Sequence, residues 1–129
     1  MTKPWIKPFF LLAAVYEAVL GVAFFSAPGT IFELYGVTPP NHMAYVQFPA
    51  LLLILFGIMF YRIAMDPIKN RELILYGCGL KVAYCSMTFG YALTSSIPAM
   101  WMPWAWADLV FLALFIVSWR HLGRQVSKA

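Results

Sequence analysis

The stretch Met43–Tyr61, MAYVQFPALLLILFGIMFY, decides how this chain folds. It carries no charged side chain and lies inside an uncharged run from Leu34 to Tyr61. The hydrocarbon core of a bilayer is about 30 Å thick, and roughly 20 mostly apolar residues of helix cross it. Backbone N–H and C=O groups in lipid must pair internally, which makes such a stretch a helix. A membrane β-barrel would alternate apolar and polar residues in segments of about ten, and this chain does not.

Three further stretches have the same character. They run over residues 5–25, 72–93 and 100–119, each with one or two charges: Lys7 at the start of the first and Glu17 within it, Glu72 and Lys81 in the third, Asp108 in the fourth. Breakers separate the four: Ser26-Ala27-Pro28-Gly29, Asp66-Pro67 and Thr94-Ser95-Ser96-Ile97-Pro98. The 129 residues are 63% hydrophobic and 11% charged. A soluble domain averages about 45–50% and about 25%. That composition excludes an ordinary soluble enzyme, a disordered tail and a nucleic-acid reader. The expectation is one all-α domain over residues 1–129, a polytopic four-helix transmembrane bundle.

Lys3 and Lys7 ahead of an apolar run have the look of a cleavable leader. Glu17 lies mid-run, and Phe25 takes the −3 position of the only suitable site, after Ala27. The first segment is therefore expected to stay as a helix. Basic residues set orientation. Lys3, Lys7, Arg62, Lys69, Arg71, Arg120, Arg124 and Lys128 all fall on one side of a four-span arrangement. Segments 27–42 and 94–101 hold no lysine or arginine. Both termini are thus expected in the cytoplasm. The basic tail obeys this rule, and binding of anionic lipid head groups is the sharper reading of it.

On the outer side, Pro28 to Gly36 suggests a short helix lying at the interface. Ser26 can cap it, Pro28 suits its first turn and Gly36 can end it. Trp101, Trp104 and Trp106 fall on the same side, either as an anchoring belt or as a lid over a cavity.

Ionisable groups inside a span are costly and face the bundle interior. At 1.5 Å per residue, Glu17 lies about 18 Å and Lys81 about 14 Å from the cytoplasmic edge, so the two can meet. Gln47 and Asp108 lie in the outer half, and Lys81 can reach toward Asp108 instead. Ile74, Cys78, Lys81, Cys85 and Thr88 share one stripe of the third helix, and Ala14, Glu17 and Gly21 one stripe of the first. Small residues there permit close packing. Pro49 should bend the second helix and free a carbonyl.

Two readings follow: an ion pair that fixes helix register, or a ligand-binding pocket of Glu17, Gln47, Lys81 and Asp108 open to the outside. No catalytic motif assembles, so an enzyme acting alone is the least supported class. His42 and His121 lie on opposite sides, which excludes a bis-histidine haem, and no residue cluster has metal-ligand spacing. Cys78 and Cys85 lie about 10 Å apart along one helix, too far to bridge. No cofactor is identifiable from the residues.

Larger patterns carry a resemblance. They are the amphipathic outer segment from Pro28 to Gly36, Phe48-Pro49-Ala50, and Asp66-Pro67-x-x-Asn70-Arg71-Glu72-Leu73-Ile74-x-Tyr76-Gly77. Lys81 with Tyr84-Cys85, and Ile97-Pro98-x-Met100-Trp101-x-Pro103 leading to Asp108-Leu109-Val110-Phe111, complete them. With these the chain resembles the DoxX-like group of small bacterial four-helix membrane proteins. The resemblance implies that fold and the bacterial inner membrane. Some members are linked to quinol oxidation or membrane redox complexes, which makes a quinone or a lipid the candidate ligand. The leading expectation is an accessory or ligand-binding membrane protein. The alternatives are a structural subunit of an energy-converting complex and a small transporter or channel subunit. The small size suggests a homo-oligomer or docking to a larger membrane complex.

Overall fold

The computed structural model describes residues 3–128, with only the backbone at Lys128. Lys128, counted above with the basic tail, thus has its side chain outside the described part. The helices are α1 (Ile6–Ser26), α2 (Pro28–Leu34), α3 (Ala44–Met65), α4 (Leu73–Thr94) and α5 (Met102–Lys128), with a 3-10 turn at Ala99–Trp101 before α5. Four helical segments are long and apolar enough to cross a membrane: α1, α3, α4 and the turn continuing into α5. No strand occurs among the described residues.

The expected spans sit within these helices to one or two residues at most ends. The exceptions are the C-terminal ends of α3 and α5, which run on past Arg62 and Arg120. Leaving hydrocarbon does not end a helix, because the i to i−4 bonds continue in water. Asp66 ends α3. Its carboxylate accepts from the Lys69 amide at 3.2 Å, and the Asn70 side chain donates to the Arg62 carbonyl at 2.8 Å. Asx side chains that bond nearby backbone favour this kind of turn.

The short helix α2 forms as expected, but Ser26 is not its cap. Ser26 is the last residue of α1, and Ala27 precedes α2 with no side-chain cap. Pro28 takes the first helical position, where a missing N–H costs nothing. Gly36 reverses the chain at φ 64°, a conformation that favours glycine. The Val37 amide then reaches back to the Phe32 carbonyl at 2.9 Å.

The bundle is built of two close pairs, α1 with α3 and α4 with α5. Small residues bring the first pair together. A Cβ on Gly21 would lie 2.6 Å from the Ala50 carbonyl oxygen, and one on Gly57 would lie 3.0 Å from that of Ala14. Two apolar cores fill the space between the pairs. Phe10, Phe60 and Phe115 centre the first, toward the end that carries the arginines, with Phe10 and Phe115 stacked at 5.4 Å. Phe24, Phe32, Ala50 and Met100 form the second, at the end capped by α2.

Candidate functional site

Between those cores the helices bring three charged side chains together. Lys81 of α4 is 1% exposed, Glu17 of α1 is 1% and Asp108 of α5 is 6%. The Lys81 ammonium donates to both carboxylates, to Glu17 Oε1 and, at 2.8 Å, to Asp108 Oδ1. The two pairings open to Lys81 from the sequence therefore coexist. The rings of Phe111 and Tyr16 flank the ammonium, with centroids at 5.1 and 5.2 Å. A buried charge is tolerated only with such partners.

Each member arrives by helical spacing. Ile74, Gly77, Lys81, Cys85 and Thr88 form the buried face of α4. Cys78 of the expected stripe is only half-buried, and Gly77 stands in its place. Gly77 is where Phe60 approaches: a Cβ there would sit 2.7 Å from that ring. On α1, Ala14, Glu17 and Gly21 are all buried, as the spacing indicates.

A cavity of about 520 Å³ opens beside the triad, toward the α2 end. Glu17 and Asp108 line it, whereas Lys81 stands behind them. Most of the remaining wall is apolar: Leu20, Phe24, Leu53, Phe56, Leu80, Trp101 and Trp104. The lining residues that stay exposed are Tyr45, Pro49 and Leu52 on α3, and Ala83 and Met87 on α4. The mouth therefore lies on the flank between α3 and α4, whose mutual contacts are sparse.

Of the four expected site residues, three converge and one does not. Gln47 is no part of the cavity lining. Its side-chain amide donates to the Phe25 carbonyl at 3.1 Å and ties α3 to the end of α1. Pro49 lies within α3 and lines the mouth. Its missing N–H removes a bond to the carbonyl four residues earlier, at Tyr45.

Sequence reasoning misses several lining residues. Tyr16 lies beside the triad on the cavity wall. Its hydroxyl is buried and has no hydrogen-bond partner among the described residues. Tyr84 bonds the Trp101 carbonyl at 2.8 Å and braces that wall. Trp101 packs on Phe24 and Phe32, so it and Trp104 act as a roof, while Trp106 is exposed and pairs with Phe89. The signal in the sequence for this roof is the tryptophan cluster itself, which fits a belt and a lid equally.

Chemically, one ammonium set behind two carboxyl groups gives a site rich in acceptors. The polar group it can receive is a hydrogen-bond donor. Toward the arginine end the cavity is blind, because Phe10, Phe60, Phe115, Ile63 and Ile74 pack there with no exposure.

These features define a four-helix bundle, able to cross a membrane, with a cavity that opens on the flank between α3 and α4 and ends on buried charges. No protein-family model, curated protein or solved structure matches the chain.

Proposed function

We propose that the protein is a small integral membrane protein that takes an amphipathic molecule sideways from the bilayer and holds its donor-bearing end at Glu17 and Asp108. The observation that carries this reading is the cavity between α3 and α4, apolar along its walls and ending on two carboxyl groups. Its volume falls in the range of about 300–1,000 Å³ typical of small-molecule sites, which are mostly apolar with a few placed polar groups. The acceptor-rich floor favours a quinol, a hydroxylated lipid or an amine over a carboxylate-ended molecule. The resemblance to DoxX-like proteins points to the same ligand chemistry, to a bacterial inner membrane and to cytoplasmic termini. It also favours an accessory role in a larger membrane complex.

The blind cavity weighs against a transporter or channel subunit, since packed aromatic rings block the way to the arginine end. The structural-subunit reading draws on the triad, whose bonds are satisfied within the protein. Organic extraction of gently purified protein, followed by mass spectrometry, separates the two. The ligand reading predicts a stoichiometric amphipathic molecule, depleted when Glu17→Gln and Asp108→Asn are combined. Protein that yields no such molecule, or the same amount from the double variant, would refute it.

A further inference from the structure

A second recess lies at the opposite end of the molecule, far from the triad. It measures about 630 Å³ and is lined by Arg71, Trp119, Arg120, Gly123 and Arg124, with Val126 and Ser127. Three arginines from two segments thus line it, from the turn before α4 and the last part of α5. No acidic residue lines the recess.

Arg71 is held in place before any ligand arrives. Its Nε donates to the Trp119 carbonyl at 2.8 Å, and its guanidinium lies 4.0 Å from the centre of the Trp119 ring. Gly123 leaves it room, since a Cβ there would come within 2.5 Å of an Arg71 terminal nitrogen. Glu72 touches the other terminal nitrogen only at 3.4 Å and is itself largely exposed. Arg120 and Arg124 are exposed, one helical turn apart on α5. Guanidinium groups suit the planar, paired recognition of phosphate oxygens.

Depth also fits. Arg120 follows Met102 by 18 residues, and hence by about 27 Å of helix. That nearly spans the hydrocarbon core of about 30 Å. The recess therefore falls at the level of lipid phosphates on the arginine side.

We propose that Arg71, Arg120 and Arg124 form a binding site for a phosphate group, occupied in the membrane by the phosphodiester of an anionic lipid. Near a membrane surface each basic residue contributes about fivefold in affinity for anionic lipid.

The test uses full-length protein in neutral detergent, titrated with phosphatidylglycerol or phosphatidylcholine and read by native mass spectrometry. Phosphatidylglycerol should be retained over phosphatidylcholine, and R71Q/R120Q/R124Q should weaken that retention by about a hundredfold. Since Arg71 also braces α5, R120Q/R124Q is the companion variant; it keeps that brace and should lose about thirtyfold. Retention that resists a large excess of inorganic phosphate identifies the lipid head group as the natural source. Displacement by inorganic phosphate keeps the phosphate site but makes a soluble phosphate its source. Equal retention of the two lipids without phosphate binding, or no loss in R120Q/R124Q, would overturn the proposal.

Discussion

At the residue scale, Lys81 decides how the triad behaves. It offers one positive charge to two carboxyl groups. Removing either carboxylate leaves a balanced pair, whereas removing the lysine leaves two carboxyl groups facing each other without a cation. Glu17→Gln should therefore cost only about 1 kcal/mol, the scale of one hydrogen bond. Lys81→Met should cost about 3–5 kcal/mol, the penalty for breaking a buried pair. Replacing all three in E17M/K81M/D108L should recover most of that loss, since a well-packed apolar set removes every buried charge. Reversible unfolding in mixed micelles measures these differences. If Lys81→Met and Glu17→Gln lost the same stability, the bridging role of Lys81 would be wrong. Glu17, Lys81 and Asp108 are legible in the sequence because a charge inside an apolar run must turn to the bundle interior and find a partner there. Gln47 is misplaced by the same reasoning: an uncharged amide can bond a stray backbone carbonyl, and depth alone does not separate that from a pocket. Tyr16 does not stand out as a lining residue because tyrosine is enriched near the membrane interface, where it serves as an anchor.

At the element scale, the close pairing of α1 with α3 rests on glycine. A Cβ on Gly21 meets backbone and the Ile54 side chain, so Gly21→Leu must push the helices apart. Overpacking of this kind costs about 1–3 kcal/mol or more. Gly79 on α4 has open space around its Cβ position, so Gly79→Leu should be harmless or slightly stabilising. Comparing the two variants by thermal unfolding in detergent separates packing from helix propensity. Equal effects would mean that the α1–α3 crossing is looser than described. The stripe of Ala14, Glu17 and Gly21 points to this crossing because small residues recur at helical spacing. The helix ends are less legible. Apolar content marks where lipid stops, but α5 continues to Lys128, with Leu122 buried in the core and Arg71 packed against Trp119 and Gly123.

At the scale of the whole molecule, four apolar segments prescribe a helical bundle, and that much can be read directly from the chain. The cavity cannot, since it depends on how two helix pairs lean apart between α3 and α4. Hydrophobic spacing says which face is buried, not how far neighbouring helices stand from one another. The account makes Ala83 the residue that governs entry, as it is exposed and lies at the mouth. Ala83→Trp should close the mouth without disturbing the triad or either apolar core. Its stability should stay within about 0.5 kcal/mol of the natural sequence, as for surface substitutions away from buried features.

The most direct test of the lipid-facing site is native mass spectrometry of the natural protein and Ala83→Trp, each released gently from its own membrane. The account predicts an amphipathic adduct with a hydroxyl or amine end on the natural protein, absent from an equally stable Ala83→Trp. A natural protein without an adduct, or an Ala83→Trp that carries the same one, would contradict it.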